Sequence, residues 1–367
     1  MSPDNQEKTI YDENQKENQT KTSQCPSCGA TMVYYPPEKC LICEHCHTKK
    51  KIDLDSYSEE IDFANFFATN SNTWGKETHV FKCNNCGAKQ VLDKNDISLS
   101  CPFCGTTNVV ETDELSGLKP NAIVPFEIDG ENAKGRLKVW AKKRFFAPRS
   151  FKKSIKVEGM KGIYSPAFTY DCDTTSTYSA RLGKYYYKTK RVNGKNVQVK
   201  EIRYFNVSGT FNRAFDDILI QASNNISQTH LVELQPFDTN TSQAYSTEFL
   251  HGFGANQYAK DGLKCWGEAR QVIDRQVKSA ILAQYDHDTV EYININTLCD
   301  NIKFKYILLP IYVGHFSFKQ KLYNFFVNGK NGRVTGKTPI SPLRVTLVTL
   351  VGLAVAAGIV WLVMQFI

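Results

Sequence analysis

The sequence predicts an α+β fold, made of two small cysteine-bearing β units, a larger α+β body and one long apolar helix near the C-terminus. Three observations support this prediction. Cysteines recur in closely spaced pairs near the N-terminus, strand-like and helix-like segments alternate over residues 119–340, and residues 345–367 contain no charged side chain. With 367 residues, 41% of them apolar, the chain is long enough for two or three domains.

The N-terminal segment is polar and lacks the apolar stretch of a secretory signal peptide. Since it offers few side chains for a core, we predict a disordered segment over residues 1–24. In a chain without a secretory signal, closely spaced cysteine pairs indicate metal binding rather than disulfide bonds. The net charge of +8 is compatible with an anionic partner and equally with plain solubility.

The cysteine-rich region contains two copies of one motif. Residues 25–46 align with residues 83–104 without a gap, and each copy has two C-x2-C pairs separated by fourteen residues. Four thiolates at this spacing can bind one Zn²⁺ in a closed tetrahedral site, which is structural rather than catalytic. We therefore predict zinc ribbon 1 over residues 25–48, zinc ribbon 2 over residues 82–110 and two structural Zn²⁺ ions. The predicted metal ligands are Cys25, Cys28, Cys43, Cys46, Cys83, Cys86, Cys101 and Cys104.

Two features of the first copy differ from the second. Cys40 aligns with Ser98, so we predict that it is a spare thiol or a local substitute ligand. Glycine follows the second cysteine in three of the four pairs, where the turn favours positive φ, but His47 stands there in the fourth. Exchange of His45 or His47 into the ligand set is an alternative that would permit a catalytic zinc.

Hydrophobic patterning predicts a spacer between the ribbons and a body after them. Residues 49–81, between the ribbons, are predicted to form a spacer with a short amphipathic helix near Glu59–Thr69. Apolar residues recur at helical spacing over residues 131–147 and 258–286, and strand-like runs fill much of the remaining body, residues 119–340.

Turn signals and a faint repeat suggest how the body is arranged. Asn-Gly pairs at residues 193–194 and 328–329 predict β-hairpin turns. Residues 124–128 and 234–238 resemble each other, and each precedes a helix and then a paired strand. This repeat suggests two related α+β halves with antiparallel sheets, although coincidence is an equal alternative.

No pattern in the chain predicts catalysis. The seven histidines are scattered, and no nucleophile motif accompanies them. Residues 332–339 resemble a phosphate-binding loop, but Gly332 lies one position too close to Gly336, so we reject an ATP site. We therefore predict no catalytic residues and a protein that is not an enzyme.

A basic segment is the clearest candidate for binding an anion. Residues 134–161 contain eleven Lys or Arg residues and a single acid, Glu158. Such a segment can contact nucleic acid, contact anionic lipid headgroups or form a solvated helix face, and these alternatives stay open. The candidate residues are Lys138, Lys142, Lys143, Arg144, Arg149, Lys152 and Lys153.

The C-terminal segment, residues 345–367, predicts a transmembrane helix. As a helix it would be about 35 Å long, enough to cross a hydrocarbon layer of about 30 Å. A buried core helix is the alternative, but such a helix would keep a polar stripe. Basic residues up to Arg344 precede the segment and no charge follows it, so the positive-inside rule predicts a tail-anchored, single-pass protein of the cell membrane whose bulk is cytoplasmic.

With these residues in place, the chain resembles a bacterial family of tail-anchored double zinc-ribbon proteins. Its members are often labelled TFIIB-type zinc ribbon-containing protein or, misleadingly, primosomal protein N' helicase. Besides the paired ribbons, the resemblance rests on the segments WGKETHVFKCNNCGA, IVPFEIDGENAKGRLKVWAKKRFFAP, ILLPIYVGHF and YNFFVNGKNGRVTGKTPISP. The chain departs from the family pattern at His47, at Cys40 and in a shorter juxtamembrane stretch.

The resemblance implies a role but no enzymatic activity. Similar proteins look like membrane partners of flotillin-like (SPFH) and phage-shock-type proteins in envelope-stress systems. The helicase label has no support, because the chain contains no helicase motif. We therefore expect a non-enzymatic, membrane-anchored adaptor, and the alternative is a membrane-tethered regulator that binds nucleic acid.

Overall fold

The computed structural model of the chain describes residues 24–52, 57–65, 78–93, 101–104, 106, 109–112, 118–154, 160–192, 195–319 and 321–365. Residues 1–24 are predicted to be disordered, and all of them except residue 24 lie outside the described residues. Within the described part the fold is α+β, as predicted, with one sheet of three strands and one of twelve.

The three-stranded sheet is ribbon 1. Strand β1 (Met32–Tyr35) pairs with β2 (Cys40–Cys43), and β2 pairs with β3 (Lys49–Lys51), all antiparallel. A 3-10 turn over Pro36–Glu38 connects β1 to β2, and the left-handed conformation of Lys39 ends it. The third strand therefore extends the ribbon into the segment predicted to be a spacer.

The large sheet is built around three long antiparallel strands. Strand β9 (Lys161–Val192) lies between β10 (Lys195–Gln221) and β13 (Thr289–Phe318). Strands β9 and β10 form an antiparallel hairpin, as predicted, and the Asn-Gly pair of its turn, residues 193–194, lies outside the described residues. At 27 to 32 residues these strands are several times longer than the usual five or six residues.

Shorter strands extend the sheet beside β13. They are β4 (Ile61–Asp62), β8 (Ala122–Ile123), β11 (Gln243–Ala244), β14 (Lys321–Asn328) and β15 (Val334–Gly336). Strands β4 and β14 pair with β13 antiparallel, whereas β8 pairs with it in parallel; β11 pairs with β8, and β15 pairs with β14. The sheet is therefore mixed and continuous, which differs from the two antiparallel sheets suggested by the faint repeat.

Ribbon 2 belongs to the same large sheet. Strand β5 (Thr78–Cys83) pairs with both β6 (Lys89–Asp93) and β7 (Val109–Thr112). Strand β12 (Gly254–Asn256) joins them to the body, because it pairs antiparallel with β6 and in parallel with β9. The second ribbon is therefore attached to the body through main-chain hydrogen bonds.

The spacer has little helix in its described part. The helix is predicted near Glu59–Thr69, but β4 and a 3-10 turn over Phe63–Asn65 occupy the start of this range. Residues 66–77 lie outside the described residues. The ring of the half-buried Phe63 contacts Trp266 and Phe304 of the body, so pairing with β13 and these ring contacts outweigh the helical periodicity.

Five α-helices lie within the described residues. They are α1 (Gly130–Lys143), α2 (Arg149–Ser154), α3 (Gln228–Leu234), α4 (Gly262–Leu282) and α5 (Pro342–Gln365). The side chains of Asp129 and Asp261 accept hydrogen bonds from main-chain N–H groups in the first turns of α1 and α4, which satisfies donors that a helix leaves free.

The distal halves of the three long strands form what we call the arm, comprising residues 173–192 of β9, 195–214 of β10 and 289–300 of β13. Along β9, every second residue from Thr174 to Leu182 is buried and the residues between them are exposed. Helix α4 covers the buried face. Strand β13 begins opposite Gly183, so residues 184–192 and 195–203 continue as a two-stranded arm tip.

Helix α5 is apolar on all sides. None of its 24 residues is buried, and residues 345–365 carry no charge. The alternative of a core helix is therefore wrong, since a core helix would pack against the body. A helix that is apolar all round needs an apolar environment, and α5 is long and apolar enough to span a membrane.

Candidate metal centres and charged surfaces

Four thiols converge in ribbon 1. Cys25 and Cys28 precede β1, Cys43 ends β2, and Cys46 follows it. The Sγ atoms of Cys25 and Cys46 lie 3.3 Å apart, those of Cys28 and Cys43 lie 3.5 Å apart, and all four lie within 4.8 Å of one another. The first cysteine of each pair is buried, and these residues are Cys25 and Cys43. The centre therefore lies at the edge of the ribbon's own core.

Ribbon 2 repeats this geometry. The Sγ separations are 3.6 Å for Cys83 and Cys104 and 3.6 Å for Cys86 and Cys101, and the four atoms again lie within 4.8 Å of one another. The first cysteine of each pair is buried, as in ribbon 1. The structure therefore brings together all eight cysteines that the sequence predicts as metal ligands.

The two clusters have the geometry of four-sulfur metal sites. A regular tetrahedron with metal–sulfur bonds of about 2.3 Å has sulfur–sulfur edges of about 3.8 Å. The separations given above are close to this edge and far longer than a disulfide bond of about 2.05 Å, and all eight cysteines are free thiols. Each cluster can therefore hold one metal ion, and a set of four cysteine sulfurs favours zinc.

The turns that present the thiols follow the predicted pattern. Gly29, Gly87 and His47 have φ values of 73°, 74° and 60°. Each donates its main-chain N–H to the carbonyl oxygen of the first cysteine in its pair, at 2.9 Å. Gly105, in the fourth turn, lies outside the described residues. His47 thus adopts the left-handed conformation in place of glycine, as histidine does more readily than most residues.

Cys40 does not belong to the ribbon 1 cluster. It is buried on β2, opposite Tyr35 of β1, and burial raises the pKa of its thiol. Within the described residues both clusters consist of cysteine alone, so His45 and His47 do not replace a ligand. Of the two alternatives for Cys40, the structure supports the spare thiol.

Ribbon 1 packs against the body through Tyr34. The hydroxyl of Tyr34 donates to the carbonyl oxygen of Phe126 at 3.0 Å, and its main-chain N–H donates to the carbonyl oxygen of His251 at 2.9 Å. Its ring contacts Phe249 and Phe253 edge-on, with centroids 5.5 and 6.2 Å apart. The two ribbons are therefore built into the body rather than suspended from it.

A third polar cluster involves residues far apart in the sequence, which sequence patterns cannot connect. Carboxylates of Glu60, Asp171 and Asp216 lie within 4.8 Å of one another. Burial raises the pKa of Asp171 to about 7, and the neighbouring Glu60 and Asp217 carboxylates act in the same direction. Lys305, almost fully buried, forms ion pairs with Asp217 at 3.1 Å and Glu60 at 3.6 Å, so a buried cation lies within this acidic cluster.

The predicted anion-binding residues gather where α1 ends and α2 begins. The Nζ atom of Lys152 on α2 donates to the carbonyl oxygen of Lys142 at the end of α1, at 2.8 Å. The side chain of Lys153 lies outside the described residues. The exposed members are Lys138, Lys142, Lys143, Arg144 and Arg149.

The arm tip is a second basic surface, where the hydrophobic patterning of the sequence predicts only strands. Residues 184–203 contain seven Lys or Arg residues and one acid, Glu201. Tyr187 is 67% exposed, and the Nζ atom of Lys200 lies 3.3 Å from the ring centroid of Tyr185. A count of charges along this hairpin would have identified the surface.

Comparison with known proteins finds a distant relative. The chain is 25% identical over 316 residues to the "Uncharacterized protein YdjG" of Bacillus subtilis (strain 168), and the match covers 71% of this chain and 90% of that protein. No family model matches the chain, and no solved structure matches it. The chain is therefore a distant homologue of YdjG. Its two four-cysteine clusters are consistent with zinc ribbons.

Proposed function

We propose that the protein is a non-enzymatic, membrane-anchored zinc-ribbon adaptor whose cytoplasmic body presents binding surfaces to other proteins. The observation that carries the proposal is the arm tip. It begins about 75 Å along β9 from Lys161, at about 3.3 Å per residue. The opposite end of the sheet is where the segment before α5 contacts the body, at Phe145 and Phe146. The arm thus separates a partner-binding surface from an anchor.

The metal centres support a structural role for the ribbons. Four cysteines leave no coordination position for a substrate or a reactive water. Metal binding would instead stabilise small β units that are poor in apolar residues. Because Tyr34 and β12 join the ribbons to the body, zinc would also stabilise the part of the body that packs against the ribbons.

The charge distribution beside α5 supports a cytoplasmic body. Lys330, Arg333, Lys337 and Arg344 precede or begin the helix, and residues 345–365 contain no charge. By the positive-inside rule these residues lie on the cytoplasmic side of the membrane. A reducing cytoplasm would keep the eight thiols available for zinc.

The arm tip has the composition of a protein-binding surface. Tyrosine and arginine are among the residues enriched at the positions that contribute most of the binding energy of protein interfaces. Here Tyr186 and Tyr187 are exposed, as is Tyr204 next to the tip, and the guanidinium group of Arg203 lies 5.4 Å from the ring centroid of Tyr186. With a single acid in the tip, the surface is complementary to an acidic face. The family resemblance implies flotillin-like (SPFH) or phage-shock-type proteins as the partners.

Co-purification from detergent-solubilised membranes tests the proposal. We expect the tagged full-length chain to retain flotillin-like or phage-shock-type proteins, and the double variant Lys200→Glu, Arg203→Glu to lose them. The matched control is Lys264→Glu, Lys278→Glu, which reverses two exposed charges on α4. Equal recovery with both variants would refute the arm as the partner surface. Retained membrane location after deletion of residues 345–367 would refute the anchor.

A second candidate function, a membrane-tethered regulator that binds nucleic acid, is favoured by the same arm tip. Tyrosines interleaved with Lys and Arg suit base stacking combined with phosphate contacts. This candidate predicts salt-sensitive binding of a fluorescein-labelled 20-nucleotide RNA or DNA, measured by anisotropy. If binding survives Lys200→Glu, Arg203→Glu, the basic residues of α1 and α2 are the next candidates. A second variant distinguishes the arm tip from the basic residues of α1 and α2. It neutralises Lys142, Lys143, Arg144, Lys152 and Lys153.

A further inference from the structure

The start of α5 is held against the body without a free linker. The main-chain N–H of Ser341 donates to the carbonyl oxygen of Phe146 at 2.8 Å, and the guanidinium group of Arg344 donates to the carbonyl oxygen of Phe145. Both acceptors lie in the turn between α1 and α2. If α5 spans a bilayer, this turn therefore lies at the level of the lipid headgroups.

Large apolar side chains are exposed on this part of the surface. Phe145 is 61% exposed and Phe146 is 44% exposed, and their rings meet edge-on with centroids 5.4 Å apart. On the adjoining segment, Ile340 is 68% exposed and Leu343 is 82% exposed. Four such side chains around the start of an apolar helix would be costly in water, whereas the bilayer interface accommodates aromatic and aliphatic groups.

Cations surround these apolar side chains, and acids are absent from the segments that form the surface. Neither residues 132–154 nor residues 301–367 contain an Asp or Glu. The guanidinium group of Arg144 lies 4.3 Å from the ring centroid of Trp140, which holds this charge beside the apolar group. We call this surface the basal face, and it consists of Phe145, Phe146, Ile340 and Leu343 with Lys142, Lys143, Arg144, Arg149 and Lys152.

The basal face is also firmly connected to the large sheet. On α2, Phe151 is fully buried and its ring contacts Phe316 and Phe318 at the end of β13, with centroids 5.3 and 6.0 Å apart. Trp140 of α1 contacts Phe325 of β14 at 5.6 Å. These contacts join the basal face to β13 and β14, and β13 continues into the arm.

We propose that the basal face docks on the anionic phospholipid surface of the bilayer, with Phe145 and Phe146 inserted at headgroup level and the surrounding cations bound to lipid phosphates. This inference rests on the proposed membrane anchoring by α5. Its consequence is that the body has a fixed orientation on the membrane instead of moving on a tether. A nucleic acid would match the cations but would leave the exposed apolar side chains in water.

Photocrosslinking in nanodiscs tests the proposal with the full-length chain. p-Benzoylphenylalanine replaces Phe146, Leu298 or Trp361 in three separate preparations, and lipid adducts are measured by mass spectrometry in phosphatidylcholine discs with and without phosphatidylglycerol. Leu298, exposed on the arm, reports a site away from the membrane, and Trp361 reports the inserted helix. We expect lipid adducts at positions 146 and 361 but not at 298, with the adduct at 146 increased about fivefold or more by phosphatidylglycerol.

Charge reversal separates the possible failures. The basal variant is Lys142→Glu, Lys143→Glu, Lys152→Glu, and its matched control reverses three exposed cations of α4, Lys264→Glu, Arg275→Glu, Lys278→Glu. We expect only the basal variant to lose the adduct at position 146. An adduct at 361 without one at 146 would overturn docking while leaving the anchor intact, whereas absence of both would overturn the anchor itself. If the adduct yield at position 146 changes neither with phosphatidylglycerol nor with charge reversal, recognition of anionic lipid would be overturned.

Discussion

The hydroxyl group of Tyr34, in the first zinc ribbon, donates a 3.0 Å hydrogen bond to the main-chain carbonyl oxygen of Phe126 in the body. Both residues are almost fully buried. Phe126 also contacts Phe253 in a stacked arrangement, with centroids 4.2 Å apart, and Phe253 in turn contacts Tyr34. Ribbon 1 and the body thus share one apolar core, to which both contribute side chains.

Tyr34→Phe should destabilise the protein modestly. The change removes one buried hydrogen bond and leaves the Phe126 carbonyl group without this donor, which costs about 1 kcal/mol of unfolding free energy. Guanidinium unfolding of the detergent-solubilised chain measures it. Tyr57→Phe is the control, because Tyr57 is 66% exposed and its variant should unfold like the wild type. Equal stability of all three proteins would contradict the role given to this hydrogen bond.

The number of zinc ions per chain should distinguish a ligand cysteine from a non-ligand cysteine on the same strand. Cys43→Ser removes one of the four ligands of ribbon 1 and should lower the metal content from about two ions per chain to about one. Cys40→Ser changes a buried thiol outside the cluster and should leave two. Elemental analysis of purified protein by mass spectrometry measures both. A loss of zinc in Cys40→Ser would show that Cys40 is a ligand.

Asp171 should make stability depend on pH. Its pKa in the folded protein is raised to about 7 by burial, whereas an unfolded aspartate titrates near about 3.9. Between these values the folded state holds a proton that the unfolded state has released, so the wild type loses stability as pH rises from about 4 to about 7. The lowered pKa of Glu60 acts in the opposite sense but at more acidic pH.

Asp171→Asn should therefore weaken this pH dependence. At pH 8 the variant should be more stable than the wild type by on the order of 1 kcal/mol, a figure reduced for the partial exposure of the site. At pH 5 the difference should shrink, because the wild-type side chain is then protonated. Unfolding free energies at both pH values measure the effect, with Asp173→Asn, an exposed neighbour on β9, as the control. An unchanged slope in Asp171→Asn would disprove the assignment.

Gly183 should be intolerant of a side chain. A Cβ atom at this position would lie 2.7 Å from the Cγ2 atoms of both Ile202 and Thr289, which belong to the strands on either side of β9. Gly183→Ala should therefore cost about 1–3 kcal/mol through overpacking. Hydrogen exchange along the arm locates the effect, which should appear as faster exchange in β9, β10 and β13 near position 183.

The matched control for Gly183 is a glycine on α4. A Cβ atom at Gly267 would meet nothing within 4 Å, and alanine is the better helix former. Gly267→Ala should therefore stabilise the protein by about 0.5–1 kcal/mol. If both alanine variants changed stability in the same direction, close packing at Gly183 would not be the cause.

The metal ligands and the apolar helix could be predicted because their determinants are local. The two C-x2-C pairs of each centre lie within 22 residues of sequence, and the turn after each pair needs a residue that accepts positive φ, so spacing alone identifies the ligands. The composition of residues 345–367 likewise determines a helix without reference to other segments. The basic residues near α1 are also evident from the sequence, whereas the exposure of the phenylalanines beside them is not.

The tertiary structure decided how these parts are joined. Strand β12 brings ribbon 2 into the large sheet, Lys305 meets Glu60 and Asp217, and the turn at Phe145 and Phe146 receives the start of α5. Each of these contacts joins segments separated by roughly 90 to 250 residues in sequence. Such pairings depend on which edges and faces the folded core leaves available, and no local pattern of side chains encodes that choice.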